Sequence, residues 1–235
     1  MVSSELAHKV SSKSAPCRLV VVGGHTRSIG KTQLVCDIIA ALPSANWLAG
    51  KITQYGHGVC ATNGHDCDCA PTEHVVALDW ENDAESGTDS GRFLQAGAAR
   101  SFWLRTKQGY LAEGMPALRE ALAERALCKD RDAINMIVES NSLLQFVKPS
   151  LYVSVLDTAR DDFKDSARHM LDRADVFIFR RGLEDDAPTH PPWTQLSAQV
   201  LRNRASLLQR EGEPLPEPLL QMVKRILSLP AAVFV

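Results

Sequence analysis

The sequence predicts an α/β fold, a parallel β-sheet with helices on both faces. Three observations indicate it: short β-branched apolar runs, intervening stretches with apolar residues at helical spacing, and a glycine turn between the first run and the first such stretch. Apolar strands that alternate with amphipathic helices are typical of a parallel sheet covered on both faces. With 235 residues, the chain is long enough for one large domain, or for one domain with a small appendage.

The first strand leads through a glycine-rich turn into the first helix. The apolar run 19–22 is followed by Gly23 and Gly24, and five residues separate Gly24 from Gly30-Lys31-Thr32. Apolar residues at helical spacing then continue up to Pro43: Leu34, Val35, Ile38, Ile39 and Leu42. Strand, glycine loop and helix in this order predict a loop that binds nucleotide phosphates.

The residue types in this loop suit that role. Gly24 and Gly30 let the backbone wrap closely around an anion, and the following helix adds the positive end of its dipole. Lys31 can reach the terminal phosphates, and the Thr32 hydroxyl suits Mg²⁺. The usual motif has four residues between its glycines, so it would place glycine at position 25, where this chain has His25. The predicted nucleotide-binding residues are Gly24, His25, Thr26, Arg27, Ser28, Ile29, Gly30, Lys31 and Thr32.

Later elements continue the alternation of strands and helices. We expect strands at Trp47–Thr53, Ser101–Leu104, Ile134–Glu139, Leu151–Asp157 and Val176–Arg180. We expect helices at Ser90–Ala98 and Met115–Leu127, and a further helix containing Ala167, Met170 and Leu171. Residues 54–91 are rich in Gly, His, Cys and Asp, which predicts a long functional loop.

These elements define three predicted segments. Residues 1–16 are a disordered leader, because they are polar and small. Residues 17–182 are a P-loop nucleotide-binding domain into which the Cys/His-rich loop 54–91 is inserted, and residues 183–235 are a C-terminal helical extension with helices at about 192–210 and 216–229. The predicted fold is therefore the three-layer sandwich of P-loop nucleoside triphosphatases with a C-terminal helical appendage.

Glu139 is a candidate catalytic and Mg²⁺-binding residue. It ends the apolar run 134–138, where P-loop proteins place an acid that orients Mg²⁺ or water. The alternative is a charged residue that merely ends a strand. Arg180 and Arg181 end the last predicted strand, where residues that select the base often lie, but no Asn-Lys-x-Asp guanine signature is present.

Two motifs carry resemblances to known families. The five-residue spacing in Gly24–Thr32 resembles the dethiobiotin synthetase and cobyrinic acid amide synthase families, whose loop reads Gly-Thr-x-x-x-Val-Gly-Lys-Thr. The segment 87–98 resembles the Gly-Lys-Asp-Ser-x-Arg … Ala-Gly-Ala motif of the molybdopterin-guanine dinucleotide biosynthesis adaptors (MobB type), with Thr88 in place of the lysine. Element order extends the resemblance over about residues 18–180, and it implies a homodimer.

The resemblance also implies roles for Lys51 and Asp89. A lysine ends the second strand near the bound substrate or phosphate in these families, and Lys51 matches its position. Asp89 resembles the acid that approaches Mg²⁺, so the implied Mg²⁺ ligands are Thr32, Asp89 and Glu139. The alternatives are an exposed lysine at a strand end and a helix N-cap at Asp89.

A cluster of metal-ligand residues lies between positions 57 and 74. His57, Cys60, Cys67 and Cys69 form a plausible Zn²⁺ set because thiolate and imidazole are the ligands that Zn²⁺ prefers. The spacing matches no standard finger or ribbon, so a loop of reduced thiols and solvated histidines stays open, as does an iron–sulfur cluster.

Charge and hydropathy exclude several classes of partner. The net charge of −2 provides no broad positive field for nucleic acid. No apolar run approaches the roughly 20 residues needed to span a bilayer, and no secretory signal is visible, so we expect a cytoplasmic protein.

The sequence leaves three functions open. The first is a Mg²⁺-dependent nucleoside triphosphate-binding protein, a nucleotide-dependent adaptor or slow NTP hydrolase that docks on a partner enzyme of cofactor biosynthesis, molybdopterin-like in type. The second is an ATP-dependent ligase of the dethiobiotin synthetase type, with Lys31, Lys51, Asp89 and Glu139 as catalytic residues in either case. The third is a metal carrier switched by nucleotide. ATP and GTP are not distinguished.

Overall fold

The computed structural model describes residues 16–55, 75–127, 133–181, 200–201 and 203–233. Its strands are β1 (Pro16–Gly24), β2 (Leu48–Tyr55), β3 (Val76–Glu81), β4 (Arg100–Lys107), β5 (Ile134–Glu139), β6 (Leu151–Leu156), β7 (Val176–Phe179), β8 (Ala205–Leu208) and β9 (Ala232–Val233). The helices are α1 (Lys31–Ala41), α2 (Asp89–Gln95), α3 (Leu111–Leu127), α4 (Asp165–Arg168) and α5 (Glu217–Ser228). Among these, no helix is long and apolar enough to cross a membrane.

The described strands form one sheet in the order β3-β4-β2-β5-β1-β6-β7-β8, and β9 pairs with the beginning of β1. Neighbouring strands are parallel except for the pairs β3–β4 and β1–β9. Strand β1 lies near the centre, between β5 and β6. The loop that follows β1 therefore opens at the carboxyl edge of the sheet, beside the ends of its neighbours, where α/β proteins bind ligands.

Alternate residues of the central strands pack into two layers. Leu19 and Val21 of β1 belong to the core on the side of α3, where Leu118 is buried. Val20 and Val22 face the opposite core, to which α1 and α5 contribute. Since both faces are covered, the chain has the predicted α/β fold, a parallel sheet between helical layers.

The prediction of a loop across residues 54–91 is wrong at both ends. Gln54 and Tyr55 complete β2, and residues 76–81 form β3, which pairs antiparallel with β4. Val76, Leu78 and Trp80 alternate along β3 and pack against the core. This period of two is a strand signal, but the run is short and polar turn residues follow it directly. Residues 56–74 lie outside the described ones.

The prediction of a helical extension at 183–235 is wrong at the end of its first helix, which was expected at about 192–210. Residues 205–208 form β8, which continues the sheet parallel to β7. Helix α5 does match its predicted position, and it buries Leu219 and Val223 in the core. The described part of this segment therefore completes the main domain. β8 alternates between partly buried and exposed residues, so its apolar signal is weak. Residues 1–15 of the predicted leader and residues 182–199 lie outside the described ones.

The predicted helix between β6 and β7 is shorter than expected. Only the four-residue α4 and a 3-10 turn at Leu171–Arg173 form there. The connection from β6 to α4 is instead irregular, and it packs against the glycine loop, as described below.

Candidate functional site

The ends of three adjacent strands bring the predicted residues together. In the sheet register, Glu139 at the end of β5 lies beside Val22 of β1 on one side and beside Lys51 of β2 on the other. Asp89 begins α2 and contacts Lys51. Side chains that are separated by between 38 and 107 positions in sequence thus meet at one edge of the sheet, next to the glycine loop.

The loop backbone is held in a curved conformation. Gly30 has a φ of 79° and Ser28 a φ of 51°, both in the left-handed region that glycine adopts without strain. At the start of the loop, Asn141 accepts a hydrogen bond from the Gly24 amide at 2.9 Å and donates one to the Gly24 carbonyl at 2.8 Å. A side chain at Gly23 is excluded, because its Cβ would lie 2.2 Å from the Asn141 Oδ1.

Arg180 supports the other end of the loop. Its Nε donates to the Ile29 carbonyl at 3.2 Å and its Nη2 to the Gly30 carbonyl at 2.6 Å. Its Nη1 donates to the Gln209 side chain at 3.0 Å, and Gln209 in turn donates to Asp37 of α1. Although sequence position suggested a base-selecting residue, the described contacts of Arg180 are those of a support for the loop.

Lys31 is buried among the loop atoms. Its Nζ donates a hydrogen bond to the Thr26 carbonyl. Burial lowers the pKa of Lys31, although nearby Glu139 opposes this effect. A desolvated ammonium group interacts strongly with an anion, because little water competes for it.

Four of the predicted Mg²⁺-binding and catalytic groups lie in one cluster of hydrogen bonds and ion pairs. The Thr32 hydroxyl donates to Glu139 Oε2 at 2.7 Å. The Lys51 Nζ contacts the Asp89 carboxylate and lies 3.5 Å from Glu139 Oε1. The Glu139 side chain is only 8% exposed, whereas that of Asp89 is 32% exposed.

The cluster sets the charge states of its members. Burial acts to lower the pKa of Lys51, but the carboxylates of Glu139 and Asp89 outweigh it and raise that pKa. Burial likewise acts to raise the pKa of Asp89, whereas the Lys51 ammonium outweighs it and lowers that pKa. Lys51 is therefore cationic and Asp89 anionic at neutral pH. Oxygen ligands of this kind, two carboxylates and a hydroxyl, are those that Mg²⁺ prefers.

The segment between β3 and α2 is organised by Glu81. Its carboxylate accepts hydrogen bonds from the hydroxyls of Thr88 at 2.8 Å and of Ser86 and Ser90 at 3.1 Å each. The N-cap of α2 is Thr88, whose side chain accepts from the Gly91 amide at 3.0 Å, and Asp89 is the first helical residue. The interpretation of Asp89 as the N-cap of α2 is thus wrong, and the Asp89 carboxylate contacts Lys51 instead.

On the other side, the connection 157–164 packs against the beginning of the loop. The Lys164 amide donates to the His25 carbonyl at 2.9 Å, and the Thr26 hydroxyl contacts Asp162. The His25 ring is fully buried, 5.2 Å from that of Phe163. Burial lowers the pKa of His25 to about 4, so the ring is neutral at pH 7. The residue that replaces glycine in the usual spacing thus anchors a second segment to the loop.

An open cleft connects these groups. Its wall includes the loop from Thr26 to Thr32, the cluster of Lys51, Asp89 and Glu139, and also Lys164 and Arg180. Sequence reasoning missed Glu81, Asp162 and Lys164, because no motif marks them. The small polar run after Glu139 was the one signal that could have pointed to Asn141.

The predicted Zn²⁺ ligands His57, Cys60, Cys67 and Cys69 lie outside the described residues. Within the described ranges, no three His, Cys, Asp or Glu side chains form a group that could hold a metal ion by themselves. Cys17 and Cys36 are buried free thiols there. Burial raises the pKa of Cys36 to about 11, so this thiol is protonated.

No family model and no curated protein matches this chain significantly. Among solved structures, it is similar to HypB from Helicobacter pylori in complex with nickel, with a TM-score of 0.42, 14% identity, and coverage of 88% of this chain and 84% of that one. It is also similar to the apo form of LpxK from Aquifex aeolicus in complex with ATP, with a TM-score of 0.43, 12% identity, and coverage of 82% and 54%. Such low scores carry no weight for function.

The fold of the chain follows from its own architecture. A central parallel strand, a glycine loop and a helix, with an acidic residue at the end of the adjacent strand, lie in the order that the sequence predicts for a phosphate-binding loop. The closer kinship to MobB-type adaptors or to dethiobiotin synthetases, which the motifs resemble, stays a prediction.

Proposed function

We propose that the chain is a Mg²⁺-dependent nucleoside triphosphate-binding protein and a slow NTP hydrolase. The observation that carries this proposal is the meeting of Thr32, Glu139 and Asp89 beside a curved glycine loop that ends in Lys31. A phosphate chain in the loop would face backbone amides and Lys31, and Mg²⁺ would lie against the hydroxyl and the two carboxylates.

The mechanism is electrostatic. Loop amides, Lys31 and the α1 N-terminus stabilise negative charge on the phosphates, including the charge that develops as the terminal phosphoryl group departs. Mg²⁺ supplies charge neutralisation at the phosphate oxygens when bound. Glu139, nearly buried and hydrogen-bonded to Thr32, holds the metal site in place and orients water. Lys51 compensates the charge of the two carboxylates and lines the cleft.

The adaptor role is favoured over the ligase because Lys51 is already neutralised. A ligase of the dethiobiotin synthetase type would need a cation free to hold the carboxylate or carbamate of its second substrate. In this chain Lys51 pairs with Asp89 and lies 3.5 Å from Glu139. This favours an adaptor that docks on an enzyme of cofactor biosynthesis, and the resemblance of the 87–98 motif implies that it is a homodimer; we expect it in the cytoplasm.

Turnover measurements separate the two roles. Phosphate release that a small carboxylate or amine accelerates would support the ligase. Slow release that only a partner protein accelerates would support the adaptor.

The carrier alternative rests on the Cys/His cluster alone. It proposes Zn²⁺ or a related metal at His57, Cys60, Cys67 and Cys69. Elemental analysis of the purified protein tests it, with Cys36→Ser as the control for Cys67→Ser. Bound metal that is lost in Cys67→Ser alone supports the site, and absence of metal from the unmodified protein contradicts it.

Calorimetric titration with ATP and with GTP, each with and without Mg²⁺, tests the central proposal. We expect micromolar binding of one or both nucleotides. Lys31→Ala should weaken it roughly 100-fold or more, because a buried charge-assisted contact is lost. Lys224→Ala, on the exposed side of α5, is the matched control and should bind as the unmodified protein does. Undiminished affinity in Lys31→Ala would contradict the assignment of the loop.

A further inference from the structure

Lys164 lines the cleft from the connection between β6 and α4. Its backbone is fixed at both ends: its amide donates to the His25 carbonyl at 2.9 Å, and its carbonyl accepts from the Ala167 and Arg168 amides at 3.0 Å each as α4 begins. The half-buried side chain lines the same cleft as Thr26 and Lys31. A long cationic side chain is thus anchored at its base and directed to an open site.

Two cations and two carboxylates interact electrostatically with Lys164. Lys31 from α1 and Arg27 from the loop lie near Lys164, and each disfavours its protonated form by electrostatic repulsion. The acidic groups that face it are Asp162 of its own connection and Glu139 of β5. Asp162 contacts the Thr26 hydroxyl, and Glu139 accepts from Thr32 and lies near Lys51. Both carboxylates thus have partners in the protein, and the cations Arg27, Lys31 and Lys164 line the cleft together, which suits a polyanion.

The position of the cations along the loop indicates which phosphate they meet. Lys31 reaches across the loop to the Thr26 carbonyl, at the end of the loop that Lys164 contacts through His25. In such loops the lysine extends to the terminal phosphates. Lys164 therefore lies near the terminal end of the phosphate chain.

We propose that Lys164 is a second cation for the terminal phosphate, and that it makes the site discriminate nucleoside triphosphates from diphosphates. This rests on the proposed nucleotide binding at the loop. Lys31 holds the phosphate from the α1 side and Lys164 from the side of α4, so the terminal phosphate lies between two ammonium groups.

The same surroundings couple nucleotide binding to protonation. Burial, and then repulsion from Lys31 and Arg27, lower the pKa of Lys164 to about 8. In the nucleotide-free protein, Lys164 therefore loses its proton at a lower pH than an exposed lysine does. A triphosphate restores the charged form, so its binding takes up protons at a pH near this pKa.

Paired titrations of ATP with ADP, and of GTP with GDP, in the presence of Mg²⁺ test the discrimination. In Lys164→Ala we expect the triphosphate affinity to fall by about tenfold or more and the diphosphate affinity by less than about threefold. Lys148→Ala, an exposed lysine on the loop before β6, is the control. Equal losses for both nucleotides, or no loss, would overturn the role of Lys164.

Calorimetry at pH 8 in two buffers of different ionisation enthalpy tests the protonation. Triphosphate binding should take up protons in the unmodified protein. In Lys164→Arg the affinity should be largely retained and this uptake lost, because arginine does not titrate in that range. Uptake that persists in Lys164→Arg would overturn the inference while nucleotide binding stands. Failure of the unmodified protein to bind any nucleotide would instead overturn the proposed function itself.

Discussion

Two walls of opposite charge flank the glycine loop. On the α2 side, which we call the acidic wall, lie Glu81, Asp89 and Glu139, with Lys51 among them. On the α4 side, which we call the cationic wall, lie Arg27 and Lys164, with Asp162 against the loop. One side of the cleft thus suits a metal ion and the other suits phosphate oxygens.

The two walls are also built differently. The acidic wall is held by side chains, chiefly by hydroxyl groups that donate to Glu81 and by the pairing of Lys51 with Asp89. The cationic wall is held mostly by backbone, since the His25 amide donates to the Val155 carbonyl and the Lys164 amide to the His25 carbonyl. Substitutions should therefore disturb the acidic wall more easily than the cationic wall.

The largest effect is expected from Glu139→Gln, which removes one negative charge from the acidic wall but keeps its shape. Phosphate release should fall about 10²- to 10³-fold, the usual loss when a group that stabilises the transition state is removed. Nucleotide affinity without Mg²⁺ should hardly change, because the cationic wall is intact. Steady-state phosphate release and calorimetry measure the two quantities.

Glu113→Gln, an exposed residue of α3, is the control for Glu139→Gln. Phosphate release in Glu139→Gln that equals that of this control would remove Glu139 from the mechanism.

Lys51→Met leaves Asp89 and Glu139 without their shared cation. The free energy of unfolding should fall by about 1–3 kcal/mol, below the loss for a fully buried pair, because Asp89 keeps 32% of its side-chain exposure. Millimolar Mg²⁺ should restore part of this loss, since it replaces the missing positive charge. Urea unfolding with Mg²⁺ and with EDTA measures both effects.

Lys107→Met, an exposed change at the end of β4, is the reference for Lys51→Met. Stability of Lys51→Met that does not respond to Mg²⁺ would contradict a metal site at the acidic wall.

The free energy of unfolding should fall in acid because His25, which is buried beside the cationic wall, becomes protonated. Its folded pKa of about 4 lies below the ordinary value of 6.5, so the unfolded chain binds the proton more readily. The contribution of neutral His25 to the free energy of unfolding is therefore present above pH 6.5 and is lost as the pH falls towards 4. The loss reaches about 2 kcal/mol by pH 5. Urea unfolding between pH 7 and pH 5 measures it.

The pH slope in His25→Asn should be flatter than in the unmodified protein, whatever the absolute stability of this variant. His169→Asn, an exposed histidine just after α4, should leave the slope unchanged. Identical slopes in all three proteins would contradict this prediction, because they would show that His25 has the same pKa in the folded and the unfolded protein.

Glu81→Gln should have the smallest effect. The amide still accepts from Thr88 and Ser90, but the charge that strengthens these hydrogen bonds is gone. We expect a loss of about 1 kcal/mol in unfolding free energy and a loss of less than about tenfold in Mg²⁺ affinity. Glu85→Gln, exposed on the same loop, is the matched control. A change in stability with no change in Mg²⁺ affinity would show that Glu81 does not position Asp89.

The acidic wall could largely be predicted from sequence, whereas Lys164 of the cationic wall could not. Lys51 and Glu139 end apolar runs, and parallel strands bring their carboxyl ends to one edge, so their proximity follows from the strand pattern. Lys164 lies in an irregular connection with no periodicity. Its contact with His25 depends on how that connection folds across 139 positions of sequence, which no local pattern encodes.

The strands of the sheet also divide into those that the sequence predicts and those that it does not. Interior strands such as β5 and β6 have long apolar runs, because both of their faces are buried, and their predicted positions are confirmed. Strands β3 and β8 lie at the two edges, where burial is partial, and each was missed. Edge strands depend on a single neighbour for pairing, so their sequences carry less of the signal.

The support of the loop by Arg180 has a consequence for biosynthesis. The glycine motif is complete after Thr32 leaves the ribosome, yet the guanidinium that holds the Ile29 and Gly30 carbonyls is added about 150 residues later, and its partner Gln209 later still. Domains acquire their final packing as the last elements dock. A nascent chain therefore carries the complete motif before Arg180 and Gln209 can hold the loop in its folded conformation.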